Sequence, residues 1–193
     1  MTALLILFLA QHAVISAKAG LATYTEGVVN VGVNEHVGQG NMLETGPSGR
    51  AEIMLNPDSY LRVLPYTRVR LDSERLDRIE LDLLDGTAIM DVDNIDDEMP
   101  IRIHLGGLEV AVLNDGVYLF ETDSVSVLDG ELRVGDEGTR LRKGWSLLRN
   151  DDAFSEVRTE EAIEDHPLVR WNKARSEQLT PRLPRRPLRP FRF

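Results

Sequence analysis

Apolar side chains recur at every second position in three runs between Ala51 and Leu71, and that period limits what the chain can build. Ala51, Ile53 and Leu55 alternate with Arg50, Glu52 and Met54; Leu61 and Val63 with Tyr60 and Arg62; Val69 and Leu71 with Arg68 and Arg70. A period of two gives a strand one apolar and one wet face. Turn residues punctuate the runs at Thr45-Gly46-Pro47-Ser48-Gly49, at Asn56-Pro57-Asp58-Ser59 and at Pro65-Tyr66. Turns this closely spaced predict short antiparallel strands folded back on one another.

The pattern continues to about Leu148. Val29, Val31 and Val33 predict a strand ahead of a hairpin tip at Asn34-Glu35, with a loop from Val37 to Asn41. Ile79, Leu81 and Leu83 oppose Arg78, Glu80 and Asp82. Asp85-Gly86 reads as a two-residue hairpin turn before Ala88, Met90 and Val92. A helix competes for Asp72 to Leu84, since Glu, Arg and Leu favour helices, but the strict alternation favours strand. Leu108, Val110 and Val112 precede the turn at Asn114-Asp115-Gly116. The nearly continuous apolar run Val117 to Phe120 predicts a strand buried on both faces. Asp129-Gly130 reads as another hairpin between Val127 and Leu132. The expected fold class is all-β: a two-layer β-sandwich, jelly roll or β-roll over residues 20–150.

Both ends depart from this pattern. Residues 1–19 read as a signal peptide, with a short apolar run from Leu4 to Ala10 and a small-x-small cleavage site at Ala17-Lys18-Ala19, although no Lys or Arg precedes the run. The run is too short to span a bilayer. Residues 151–179 read as a helical extension. Asp165 is its expected cap, Pro167 lies in its first turn, and its apolar stripe runs through Leu168, Trp171, Ala174 and Gln178 or Leu179. In residues 180–193, Pro181, Pro184, Pro187 and Pro190 recur at the polyproline II period with arginines between them, which predicts an extended or disordered basic tail.

The formal net charge is −10, yet Arg170 to Phe193 holds eight basic residues against Glu177 alone. The body is therefore more acidic than the total indicates, which argues against nucleic acid as its partner. The chain has no cysteine, so disulfides and thiolate metal sites are excluded. His12, His36, His104 and His166 show no metal-ligand spacing. The acidic loop with Asp93, Asp96, Asp97 and Glu98 fails the EF-hand template, because Ile95 stands where an oxygen ligand belongs. No nucleophile elbow or phosphate loop occurs. Asp91 and Asp93 form an acid pair of the kind a glycosidase uses, but chance adjacency is the simpler account in a chain with 32 acidic residues. The expectation is a non-enzymatic protein without cofactor or metal.

Tyr60, Arg62, Arg68 and Arg70 fall on the polar parity of their strands and predict an outward basic-aromatic strip suited to an anionic or sugar ligand. The competing account pairs those arginines with Glu52, Glu80 and Asp82 on neighbouring strands. Trp171, with Arg182, Arg185 and Arg186 of the tail, is the second candidate binding surface.

Between Thr23 and Arg149 the sequence resembles the FecR domain family. The residues that carry the likeness are Glu26-Gly27-Val28-Val29, Gly40-Asn41-Met42-Leu43-Glu44-Thr45-Gly46, Ser48-Gly49-Arg50-Ala51-Glu52-Ile53, Pro57-Asp58-Ser59-Tyr60-Leu61-Arg62-Val63, Thr67-Arg68-Val69, Ile79-Glu80-Leu81 through Gly86, Val127-Leu128-Asp129-Gly130-Glu131-Leu132-Arg133-Val134 and Leu141-Arg142-Lys143-Gly144. The chain departs from the family in having Gly40-Asn41 where Gly-Asp is usual, Pro57-Asp58-Ser59 where the family has Asp-Gly-Ser, and Gly116-Val117-Tyr118-Leu119-Phe120, which matches the family's Gly-Thr-x-Phe strand only in part. The resemblance implies a bacterial periplasmic or secreted β-domain that supplies no catalytic residues. With no anti-sigma segment ahead of it, the leading expectation is a free binding module. Its partner is an envelope protein or an anionic surface polymer, and it has no integral membrane span after signal cleavage. The alternatives are a signal-transducing component linked to sigma-factor regulation and a carbohydrate-active enzyme.

Overall fold

The computed structural model describes residues 18–179 except 94, 97, 136, 137, 151 and 152. Expectations that fall on residues 1–17 and 180–193, including most of the signal peptide and the arginines Arg182, Arg185 and Arg186, lie outside the described residues. Lys18 pairs with Glu74, and Ala19 is fully buried with its N–H on the Glu74 carbonyl. The β-domain thus already includes Ala19.

The strands are β1 (Leu21–Glu26), β2 (Met42–Glu44), β3 (Arg50–Asn56), β4 (Ser59–Val63), β5 (Arg68–Arg75), β6 (Arg78–Asp85), β7 (Thr87–Val92), β8 (Ile101–Leu105), β9 (Leu108–Val112), β10 (Gly116–Glu121), β11 (Ser124–Asp129), β12 (Glu131–Val134), β13 (Thr139–Arg142), β14 (Trp145–Asn150) and β15 (Ala153–Arg158). A 3-10 turn (Glu161–Asp165) and helix α1 (Pro167–Leu179) follow. The strands form an eight-stranded sheet ordered β1-β3-β4-β7-β10-β11-β14-β15 and a seven-stranded sheet ordered β13-β12-β9-β8-β6-β5-β2. Pairing is antiparallel except between β6 and β8. This is the expected all-β fold with a C-terminal helix. No helix among the described residues is long and apolar enough to cross a membrane.

The alternating residues meet between the sheets. Ala51, Ile53, Leu61, Val63, Leu71, Leu81, Met90, Ile103, Val110, Tyr118, Phe120 and Val127 belong to one buried core. The Asp72 to Leu84 stretch is the β5–β6 hairpin, so alternation outweighs helix propensity there.

Three expectations need correction. Val29 to Val33 forms no strand; only an isolated bridge joins Val29 to Thr45, while β1 starts earlier and pairs β3. The segment from 151, expected to be helical, first adds β15 to the edge of the larger sheet. Asp85-Gly86 and Asp129-Gly130 are not hairpins. β6 and β7 lie in different sheets, as do β11 and β12. A single glycine stands between the two strands in each case, so the chain bends across to the facing layer instead of folding back beside itself. Hairpins within one sheet are joined by connections that switch sheets: β3–β4, β5–β6, β8–β9, β10–β11, β12–β13 and β14–β15 are the hairpins, and β7 crosses singly between two switches.

Tyr118 holds two of these corners together. Its phenol donates to the Asn114 carbonyl at 2.7 Å and accepts from the Glu131 N–H at 3.2 Å. Burial pushes this phenol's pKa up to about 12. Gly130 has φ +92°, and a Cβ there lies 2.0 Å from the Tyr118 oxygen and 2.8 Å from the Asp115 carbonyl. Gly130→Ala therefore lowers stability by about 2 kcal/mol, seen as a lower urea midpoint with the slope unchanged.

Candidate functional site

The outer face of the larger sheet carries the site. On β3, β4, β7 and β10 the residues that point away from the core include Glu52, Arg62, Ile89, Asp91 and Leu119. Helix α1 covers them. Ile89 and Leu119 meet Leu168 and Val169 of the helix, with Trp171, Leu64, Val117, Leu128 and Ile163 around them. The His166 imidazole accepts from the Leu168 N–H at 3.2 Å, taking the capping place expected of Asp165. The expected helical stripe is displaced. Leu168, Val169 and Asn172 are buried, while Ala174, Gln178 and Leu179 are exposed.

Beside this apolar seat lies a buried ionic network. Arg62, expected at the surface, is fully buried. Its parity is as expected, but α1 covers that parity. Arg62 Nε donates to Glu52 Oε2 at 2.7 Å, and Nη1 donates to Asp91 Oδ2 at 3.0 Å and to Asn172 Oδ1 of the helix. Glu52 also accepts from Arg175 Nη2 at 2.6 Å and from Thr23 Oγ1 at 2.9 Å. Asp91 also accepts from Asn172 Nδ2 at 3.2 Å and from Ser176 Oγ. Two cations and two carboxylates thus balance in a water-poor seam, as buried charges require. Burial alone pushes the Glu52 carboxyl up. The hydrogen bonds from Arg175, Arg62 and Thr23, with the Arg62 charge, outweigh it and hold the carboxyl below its ordinary value.

The other expected site residues divide. Tyr60 is half-buried, with its ring 5.3 Å from the Arg62 guanidinium carbon. Burial first, then the charges of Glu52 and Asp58, push its phenol up. Trp171 sits 5.7 Å from the Tyr24 ring and 5.9 Å from the Arg50 guanidinium, at the β1 margin of the same seat. Arg68 and Arg70 lie on the other sheet. Arg68 pairs with Asp85, and Arg70 with Asp72 and Asp82, so the four residues form no common strip. Sequence reasoning missed Asn172, Arg175 and Ser176. The signal for Asn172 and Ser176 is the row Leu168, Asn172, Ser176 at four-residue spacing, which places polar groups in line with a buried leucine. Asp91, half of the expected acid pair, spends one carboxylate oxygen on three donors, while Asp93 is exposed. No group of His, Asp and Glu among the described residues is arranged to hold a metal.

The architecture has known counterparts. Two crystal structures of proposed anti-sigma factors from Parabacteroides distasonis match it with TM-scores of 0.54 and 0.52, at 17% and 18% identity. The matches cover 68% and 64% of this chain. The chain spans 64% and 61% of the length of those structures. At that identity the likeness establishes a shared fold. No protein-family model and no curated protein matches the sequence.

Glu52→Gln strips a carboxylate from a buried arginine and costs about 3–5 kcal/mol at neutral pH. The folded Glu52 carboxyl titrates below its ordinary value of 4.5, so its stabilisation is complete above that value and is lost as pH falls through it towards the folded pKa. The gap between wild type and variant in urea unfolding is therefore constant around neutral pH and narrows below about 4.5. Arg68→Ser and Arg70→Ser leave the urea midpoint nearly unchanged, because exposed ion pairs contribute little.

Proposed function

We propose that this chain is an exported, non-enzymatic FecR-type β-domain of a sigma-factor regulatory system, in which a binding event at the domain is passed on through α1. The observation that carries the reading is the way α1 is held. Leu168 and Val169 supply its buried apolar contact, and a charged network through Asn172, Arg175 and Ser176 supplies the rest. A helix fixed by a few directional contacts has discrete seated and unseated states, which is what a transmitting element requires.

The shared fold with proposed anti-sigma factors supports this regulatory role over that of a generic envelope binder. The motif resemblance over residues 23–149 supports the FecR-type β-domain of this reading and not its regulatory part. Export to the periplasm or cell surface belongs to the same proposal and is supported by the leader-like apolar run Leu4 to Ala10, ahead of Lys18 and Ala19, which the β-domain holds. The Arg/Pro segment 180–193 follows α1 directly. In this reading it meets an anionic envelope partner, and that contact weakens with salt.

Deleting the gene tests the role. The expected result is a several-fold change in a discrete set of transcripts that share one promoter motif, restored by the wild-type gene and not by one encoding Arg62→Met. A transcriptome with no such set overturns the regulatory reading.

A further inference from the structure

One donor in the α1 seat lacks a partner among the described residues. Arg62 Nε and Nη1 are occupied, but Nη2 is buried with no acceptor. A buried donor left bare is costly, and a charged one more so. Next to it a cleft of about 310 Å³ is lined by Asp58, Tyr60, Arg62, Asp91, Asp93 and Ser176, with Leu179 as a further wall.

The chemistry of the lining restricts the occupant. Among the described residues Asp58 and Asp91 outnumber the one guanidinium of the lining, which disfavours an anion. A cation offers Arg62 Nη2 nothing to bond. The group that fits is neutral and carries donors and acceptors side by side, as adjacent hydroxyls do. The Tyr60 ring, 5.3 Å from the guanidinium carbon, adds an apolar face for the C–H side of such a molecule. The volume lies at the small end of ligand pockets, which limits the occupant to about one sugar ring.

We propose that this cleft binds a neutral polyhydroxylated ligand, a single sugar residue, whose hydroxyls donate to Asp58 and Asp91 while one accepts from Arg62 Nη2. Ser176 and Leu179 belong to α1, so an occupied cleft and a seated helix share a wall. As the sensory input the inference rests on the regulatory reading; as a binding site it stands alone, and the two fail separately.

The test is calorimetry and saturation-transfer NMR on the full chain with glucose, galactose, mannose and N-acetylglucosamine. Inorganic phosphate, citrate and triglycine serve as probes of the other chemistries. At least one neutral sugar binds. Tyr60→Ala and Asp58→Asn each weaken it tenfold or more while the chain still unfolds cooperatively above the assay temperature, and Tyr60→Phe retains binding. Asn suits position 58 because φ there is 72°. The proposal is overturned if no sugar binds, if binding survives both substitutions, or if only phosphate, citrate or triglycine binds. It is equally overturned if a sugar binds only once residues 180–193 are removed, since the chain's own tail is then the occupant.

Discussion

A guanidinium buried on the outside of a sheet governs how this molecule is put together. Arg62 sits where a strand ordinarily meets water, and its charge is tolerable only if every neighbour answers it. Glu52 and Asp91 on the flanking strands supply two carboxylates, which overcompensate one cation. Arg175 restores the balance, and it comes from α1. The sheet and helix are therefore electrostatically incomplete without each other. Replacing such a network with apolar residues often leaves a protein as stable or more so, so its presence is better explained by the geometry it imposes than by energy gained.

That geometry can be stated. The apolar half of the seat, where Ile89 and Leu119 meet Leu168 and Val169, is non-directional. A helix sliding along it by one turn, about 5.4 Å, still buries carbon on carbon. The polar half forbids the slide. Asn172 both accepts from Arg62 and donates to Asp91, and Arg175 meets Glu52 with two nitrogens. Hydrophobic contact holds α1 on the sheet, and the ionic seam sets its register.

The sequence shows how far alternation can be read. Parity sorts Leu61 and Val63 from Tyr60 and Arg62, and the core follows it. Parity says which face a residue takes and nothing of what covers that face, which is why Arg62 reads as exposed. The missing sign of a cover was present. Ile89 and Leu119 are apolar on the outward parity, and the continuous run Val117 to Phe120 has no dry environment on its second face unless something packs there. The glycines misled differently. Asp85-Gly86 and Asp129-Gly130 have hairpin composition, but one glycine between strands makes a sheet-switching bend held by Thr67 in one case and Tyr118 in the other. Close approach of backbone to those side chains, not turn type, selects glycine there. Such contacts join strands distant in sequence and leave no local signature.

A regulatory role depends on whether binding can be felt by α1, and a ligand shifts an equilibrium only by its preference for one state. Asp91 is where that preference can arise. Its Oδ2 serves Arg62, Asn172 and Ser176 together, and the same residue lines the cleft. A molecule that engages the other oxygen leaves the seat intact and adds to it, favouring the docked helix. A molecule that takes Oδ2 must displace Asn172 and Ser176, favouring release. In the regulatory reading, the direction of a signal turns on which oxygen of one carboxylate a ligand claims. Every contact involved lies between β4, β7 and the last two turns of α1, immediately before residues 180–193.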